Sequence, residues 1–288
     1  MNAARPAPAV ADPPLVSVVT ATYNWSSVLR YAIDSVRGQS YPRWEMVVVG
    51  DACTDDSEEV VRSFGDPRVR WHNREVNSGS QSMPNNDGIA LARGEFVAYL
   101  GHDDLWSPDH IQRLVATTRR SGADVAFSLC EIIGPPGTGL RGLAGTTPRG
   151  GYAGGHLPPS SVLHRRSMSE EIGGWRDYRE TEAGPDVEFM ERALARGMSF
   201  ACSWALTAFK LPAVMRPGVY RQRPCGEQRE LARRISAERG FRLREPVRIA
   251  MSWARHPRGA LASHSPTVPA GAGKGALIRE GRRIRGLE

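Results

Sequence analysis

The chain has 288 residues, a formal net charge of +7, 40% hydrophobic residues and four cysteines, a length that can bury one sizeable core. The cysteines, Cys53, Cys130, Cys202 and Cys225, have no metal-ligand spacing, which excludes a structural zinc site and favours a reduced protein. No apolar run reaches the roughly 18 residues of a membrane span, and residues 1–14 lack the apolar segment of a signal peptide, so we expect a cytoplasmic location.

The first predicted unit is a strand, a helix and a second strand. The apolar run at 16–20 predicts a strand that leads into four polar or small residues at 21–24. Apolar residues at helical spacing from Val28 to Val36 then predict a helix, which the turn at 39–42 ends. The β-branched run at 47–49 predicts the second strand, and acidic residues from Asp51 onward follow it.

Two carboxylates, Asp103 and Asp104, follow the next predicted strand at 96–100. The alternation of strands and helices predicts a doubly wound parallel sheet, in which the carboxyl ends of the strands meet and commonly bind nucleotides. Adjacent carboxylates are typical ligands of Mg²⁺. The open alternative is that they cap a helix, because Ser107 and Pro108 follow.

Several motifs along the chain resemble those of the family 2 inverting glycosyltransferases over roughly residues 15–212. They lie at 16–24, 48–55, 77–79, 85–88, 94–104, 157–166, 172–175 and 185–192. The resemblance implies a GT-A fold, which is a Rossmann-like, doubly wound mixed sheet flanked by helices. It also implies a nucleotide-binding half at 15–105 and an acceptor half at 106–212.

The resemblance also implies roles for individual residues. Asp51 would hydrogen-bond the imide of a uracil or thymine base, and Asp103 would approach the ribose. Asp104 would hold a Mg²⁺ or Mn²⁺ ion that bridges the donor diphosphate, and Asp186 would be the general base. The remaining donor-binding candidates are Ala21, Thr22, Tyr23, Asn24 and Asn85.

The chain departs from the family pattern at four positions. Many relatives have acidic residues where Gly50 and Gly101 stand, and an acidic neighbour of the base where Pro185 stands. Pro84 replaces a basic residue that often lies near the donor phosphates. These departures keep open the alternative of a non-catalytic nucleotide-sugar-binding protein of the same fold.

The stretch that shapes the acceptor side in the family carries five further candidates, His156, Ser160, Ser161, His164 and Trp175. A structural hydrogen bond is the default role for the two histidines, and core packing is the default for the tryptophan.

The basic charge is concentrated near the C-terminus. Residues 213–288 hold 17 lysines and arginines against 6 acids, whereas residues 1–212 hold 21 against 25. Alternating arginines and apolar residues predict a basic helical extension at 213–256, which either packs on the catalytic domain or contacts an anionic membrane peripherally. Composition predicts a disordered arm at 1–14 and a disordered tail at 257–288.

These features together predict a metal-dependent inverting glycosyltransferase that moves a sugar from a UDP or TDP donor to a hydroxyl acceptor. The acceptor would be a glycan, a lipid-linked sugar or a small molecule of bacterial glycan, glycolipid or secondary metabolism. A nucleotidyltransferase is a second alternative, but it needs a basic, glycine-rich phosphate loop after the first strand, and residues 20–25 show none. No nucleic-acid-binding module is recognisable.

Overall fold

A computed structural model describes residues 12–146, 151–238, 240–256, 268–269 and 271–287. Its strands are β1 (Val16–Thr22), β2 (Trp44–Gly50), β3 (Val69–Asn73), β4 (Phe96–Tyr99), β5 (Leu105–Trp106), β6 (Val125–Ile133), β7 (Arg141–Ala144), β8 (Val162–Arg165) and β9 (Phe200–Lys210). Its helices are α1 (Ser26–Arg37), α2 (Ser57–Ser63), α3 (Ser82–Leu91), α4 (His110–Ser121), α5 (Arg166–Ile172), α6 (Pro185–Ala195), α7 (Val219–Gln222), α8 (Gly226–Ala237), α9 (Phe241–Arg255) and α10 (Ala276–Arg285).

The strands form one mixed sheet in the order β3-β2-β1-β4-β8-β6-β9-β5, and β7 pairs with β6. Strands β1 to β4 are parallel, with β1 between β2 and β4. Beyond β4 the sheet turns antiparallel at β8. The chain therefore winds outward from β1 in both directions, as the sequence predicts, and the carboxyl ends of β1, β2 and β4 share one edge.

The core lies on both faces of this sheet. Val16 and Val18 pack on one face with Leu29 and Ile33 of α1. Side chains that alternate with them, such as Val19, pack on the other face with the helices α5 and α6. Each fully buried aliphatic side chain contributes about 1.5–3 kcal/mol to the free energy of unfolding, so this two-sided burial fixes the strand ends that carry the polar residues.

The C-terminal helices pack on the sheet rather than standing apart from it. Leu231 of α8 and Phe241 of α9 join a cluster with Leu105 and Phe209. None of the helices in the part of the chain that the structure describes is long and apolar enough to cross a membrane.

The predicted disordered tail is wrong for Ala276–Arg285, which form α10. The Gly275 amide before this helix donates to the Thr181 carbonyl at 2.8 Å, and the Ile284 carbonyl accepts from Gly218 at 2.8 Å. Residues 257–267 of that predicted tail, and residues 1–11 of the predicted N-terminal arm, lie outside the described residues.

Candidate active site

A cavity of about 270 Å³ opens at the shared carboxyl edge of β1, β2 and β4. Ala21 and Thr22 at the end of β1 line it, followed by Tyr23. Asp51 after β2 and Asp103 after β4 also line it. The structure therefore brings most of the predicted donor-binding residues together. Asn24 and Asn85 are not among the residues that line this cavity.

Asn24 and Asn85 are buried, and both lie beside the cavity rather than in its wall. Asn24 has a positive φ of 44°, and its side-chain oxygen accepts from the backbone amides of Thr54 at 2.7 Å and Asp55 at 3.2 Å. This side chain therefore holds the loop after β2 in place. Asn85 lies on α3 and borders a small neighbouring void that Ser160 and Lys210 also line.

Asp51 is buried and fixes the loop at 77–79. Its carboxylate accepts from the Ser78 amide at 2.9 Å and 3.0 Å, from the Ser78 hydroxyl at 3.1 Å and from the Gly79 amide at 3.2 Å. The Asn77 side chain donates to the Asp51 carbonyl at 2.8 Å. The Asp51 carboxylate thus holds the 77–79 loop in place, and Asp51 also lines the cavity itself.

Asp103 lines the cavity, whereas Asp104 does not. Burial and the charge of Asp104 raise the pKa of Asp103 above its usual range, so this side chain favours a nearby cation. Asp104 has no exposed surface and accepts from Ser160 Oγ at 2.6 Å, Lys210 Nζ at 3.1 Å and the Leu211 amide at 3.1 Å. Both oxygens of Asp104, the predicted metal ligand, thus accept hydrogen bonds from other groups of the protein. Neither carboxylate caps α4, which begins only at His110.

His102 stands between the acids and the C-terminal region. Its Nδ1 hydrogen-bonds to Thr22 Oγ1 at 2.8 Å and its Nε2 to the Tyr220 hydroxyl at 3.0 Å. Burial lowers the pKa of His102, despite the charges of Asp103 and Asp104, so the ring is neutral near pH 7.

The cavity also contains cations that the sequence analysis missed. Lys210 lies at the end of β9, and the carboxylates of Asp104 and Asp103 raise its pKa even though burial opposes its charge. Arg282 and Arg285 reach the cavity from α10, and Arg282 Nη1 donates to the Gly79 carbonyl at 2.8 Å. The only local signal for Lys210 is a lone lysine at the end of an apolar strand. The arginines have no local signal, because α10 lies far from the cavity residues in sequence.

Asp186 lies in the first turn of α6, which begins at Pro185, and it lines the same cavity. His156 Nε2 is 2.9 Å from its Oδ2. Burial opposes ionisation of Asp186, but the hydrogen bond and charge of His156 and the charge of Lys210 outweigh it and lower the pKa of this carboxyl. Asp186 is therefore ionised near pH 7.

The other predicted acceptor residues have structural contacts. Ser160 bonds Asp104, and Ser161 donates to the Pro158 carbonyl at 2.7 Å. His164 Nε2 hydrogen-bonds to the Tyr99 hydroxyl at 2.8 Å, and Trp175 Nε1 donates to that hydroxyl at 3.0 Å. Both rings are buried in the core, and burial lowers the pKa of His164 to about 4. Of the five candidates, His156 contacts the side chain of Asp186, and Ser160 accepts from the Gly101 amide at 3.0 Å; Asp186 and Gly101 both line the cavity.

The fit of a divalent metal depends on Asp103. Among the residues that the structure describes, no three His, Cys, Asp or Glu side chains are grouped to hold a metal. Mg²⁺ nevertheless binds commonly through one or two carboxylates plus substrate phosphates and water. Asp103 follows β4 and lines the cavity, so its carboxylate fits a site of that kind and not an all-protein cage.

Comparison with known proteins relates the first half of the chain to glycosyltransferases. The family described as "Glycosyl transferase family 2" matches residues 17–149, which include β1 to β7 and the acids after β2 and β4. The chain is 34% identical to the succinoglycan biosynthesis protein ExoO of Rhizobium meliloti over 46% of this chain and 38% of that protein. It is 31% identical to TuaG of Bacillus subtilis, provisionally described as a teichuronic acid biosynthesis glycosyltransferase, over 44% of this chain and 51% of that protein. The chain thus spans about half or less of the length of these relatives.

Solved structures confirm the predicted GT-A-like mixed fold. Staphylococcus aureus TarS 1-349, in a complex with UDP-GlcNAc, aligns with a TM-score of 0.60 at 19% identity over 84% of this chain and 72% of that one. The mannosyltransferase PcManGT of Pyrobaculum calidifontis, in a complex with GDP-Man and Mn²⁺, aligns with a TM-score of 0.54 at 17% identity over 90% of this chain and 78% of that one.

Proposed function

We propose, from the match of residues 17–149 to glycosyltransferase family 2, that the chain transfers a sugar from a nucleoside diphosphate donor to a hydroxyl acceptor in bacterial glycan synthesis. We propose further that the donor carries uracil or thymine, that Mg²⁺ or Mn²⁺ assists, and that the anomeric carbon is inverted. The relatives named for polysaccharide synthesis support the pathway class.

One observation carries this proposal. A single cavity is lined by three carboxylates from separate elements, Asp51, Asp103 and Asp186, together with the cations Lys210, Arg282 and Arg285. Transfer from a nucleotide-sugar needs a hydrogen-bond acceptor for the nucleobase, positive charge for the diphosphate and a general base near the incoming hydroxyl. The cavity offers all three, and its carboxylates follow one another in the chain order that the family resemblance implies.

The nucleobase of the donor would lie at Asp51, and its diphosphate would lie between Asp103 and α10. We assign the metal to Asp103 instead of Asp104, because Asp103 lines the cavity while both oxygens of Asp104 accept from protein donors. A bound Mg²⁺ or Mn²⁺ would neutralise charge that develops on the leaving diphosphate. Lys210, Arg282 and Arg285 supply further positive charge, which offsets the absence of a basic residue at Pro84.

Asp186 would act as the general base. It is ionised near pH 7, and the contact from His156 orients its carboxylate in the cavity wall. As the acceptor oxygen bonds to the anomeric carbon from the face opposite the diphosphate, the acceptor proton passes to Asp186. The bond from the anomeric carbon to the diphosphate oxygen breaks, and the nucleoside diphosphate leaves with that electron pair.

Calorimetric titration of UDP and TDP in the presence of Mn²⁺ tests the donor site. We expect wild-type protein to bind one of them and Asp103→Asn to bind about tenfold or more weakly, because a charge-assisted interaction is worth about 1.5–3 kcal/mol. Asp34→Asn, at an exposed position on α1, is the control. Failure of wild type to bind either nucleotide, or equal binding by Asp103→Asn, would contradict the assignment.

A further inference from the structure

Exposed apolar side chains are concentrated on one part of the surface. Seven large hydrophobic residues are exposed in the described part of the chain, and four of them lie on α9: Leu243, Val247, Met251 and Trp253. A fifth, Trp204, lines the groove beside α9 together with Leu243. Monomeric proteins rarely expose contiguous apolar patches of this kind without a binding partner.

Helix α9 is apolar on two opposite faces. Phe241 and Ile249 are buried on the inner face, where Glu245 and Ser252 also lie. Leu243, Val247 and Met251 follow each other at intervals of four residues on the opposite side, with exposed fractions of 81%, 58% and 45%. A helix that only covers a core needs one apolar stripe, so the outer stripe has no role in the fold described above.

The charge around this outer stripe is positive. Arg244 and Arg255 are exposed. The half-exposed Arg242 and Arg248 lie on either side of the stripe, where Arg242 pairs with Asp109 and Arg248 with Glu245. Glu245, the one acid of α9, is fully buried. A second copy of the chain docked on the same face would bring arginines against arginines, whereas an anionic surface complements them.

We propose that the outer face of α9, meaning Leu243, Val247 and Met251 with the adjacent Trp204 and Trp253, lies on an anionic lipid bilayer. The apolar side chains enter the boundary between headgroups and acyl chains, and the flanking arginines contact the phosphates. Tryptophan suits this depth, because its ring is apolar and its N–H is polar. This inference does not depend on the proposed transfer reaction.

Vesicle co-sedimentation of the full chain tests the proposal. We expect binding to vesicles of about three parts phosphatidylcholine to one part phosphatidylglycerol, and at least about tenfold weaker binding to phosphatidylcholine alone. Binding should fall as salt rises from 0.1 M to 1 M, over which the Debye length shrinks from about 10 Å to about 3 Å.

Two variants and one control separate the contributions. Val247→Asp should reduce binding to mixed vesicles about tenfold or more, and the double change Arg244→Gln with Arg255→Gln should reduce both the binding and its salt dependence. Val76→Asp changes a valine away from α9 that is more exposed than Val247, and it should leave binding intact. Circular dichroism and nucleotide binding would establish that each variant is folded.

Three results would overturn the inference. One is an absence of binding to either kind of vesicle. Another is vesicle binding whose strength does not depend on lipid charge or salt, or vesicle binding that is equally strong in wild type and in Val247→Asp. The third is a concentration-dependent dimer that Val247→Asp dissociates, because a second copy would then be the occupant of this face.

Discussion

Asp103 and Asp104 are adjacent in sequence, but only Asp103 lines the cavity. The Asp104 amide donates to the Gly101 carbonyl at 3.0 Å, and its buried carboxylate accepts from Lys210, which itself lines the cavity. We expect Asp103→Asn to weaken Mn²⁺-dependent nucleotide binding with little change in thermal midpoint. Asp104→Asn should lower the midpoint clearly, because it leaves the Lys210 ammonium without its carboxylate partner. Thermal unfolding measured beside calorimetry distinguishes the two, and the reverse pattern would restore the metal to Asp104.

Asp186 is the residue on which the proposed chemistry depends most. Asp186→Asn keeps the size of the side chain at the start of α6 but removes its basicity, so transfer should fall by about 10² to 10⁴. Donor binding should remain, and the thermal midpoint should move by only a few degrees. A large loss of stability with a proportionate loss of activity would indicate that Asp186 serves the helix, as a first-turn acid does.

His156 sets the pH at which Asp186 ionises. Because the hydrogen bond and charge of His156 lower the pKa of Asp186, His156→Ala should raise that pKa. The acidic limb of the pH profile of kcat/KM should then move to higher pH, since turnover needs the carboxylate. Profiles between pH 4 and pH 8 check this, because the wild-type limb lies below pH 3.8 and only the variant should lose activity within that range. An unmoved limb would mean that another group controls it.

The sequence is informative about individual residues only up to a point. It predicts that acids stand after β2 and β4, because a strand pattern and its following residues are local. It cannot predict which of two adjacent acids lines the cavity, because that depends on Lys210, Ser160 and Leu211, which lie 56 to 107 residues away. The core positions of His164 and Trp175 depend in the same way on Tyr99.

At the scale of elements, α10 changes the interpretation of the C-terminal region. The sequence predicts a disordered tail at 257–288, but Ile278, Arg282 and Arg285 line the donor cavity. We expect Arg285→Gln to weaken nucleotide binding about tenfold through loss of charge near the phosphates. Arg283→Gln is the matched control, because Arg283 is exposed and pairs with Glu280. Equal affinity of the two variants would mean that α10 does not contact the donor.

The first half of the fold is predictable because each element there carries its own pattern. The strands β1, β2 and β4 are apolar runs, and α1 has buried residues at helical spacing, including Val28, Ala32 and Val36. Helix α10 differs, since it is short, rich in arginine and preceded by glycines. Contacts with Thr181, Gly218 and Gly79 hold it in place. These residues are far from α10 in the sequence, so a local sequence pattern cannot predict the contacts.

At the scale of the whole molecule, a buried pair of acids couples α9 to the sheet. Glu131 of β6 and Glu245 of α9 are both fully buried. In the described part of the chain, Glu131 Oε2 and Glu245 Oε2 accept from no donor unless a proton lies between them. Burial, together with the charge of Glu245, raises the pKa of Glu131 to about 8. Folding therefore favours the protonated acid.

The pH dependence of stability follows from this shift. A carboxyl whose pKa is higher in the folded state contributes stability that is fully present below its unfolded pKa, near 4.5, and is lost as pH rises through about 8. We expect the thermal midpoint to fall between pH 5 and pH 9, and Glu131→Gln to flatten that fall. A midpoint that rises over this range in wild type, or an unchanged slope in the variant, would contradict the assignment.

The proposed reaction is transfer of a sugar from a nucleoside diphosphate donor, with Asp186 as the general base. Measuring the release of nucleoside diphosphate from a panel of UDP-, TDP- and GDP-sugars, with Mn²⁺ and fragments of bacterial glycans, tests this reaction. We expect wild type to release nucleoside diphosphate from a UDP- or TDP-sugar, and Asp186→Asn to reduce that release about a hundredfold or more. Release of pyrophosphate from nucleoside triphosphates instead, or diphosphate release that Asp186→Asn leaves intact, would contradict it.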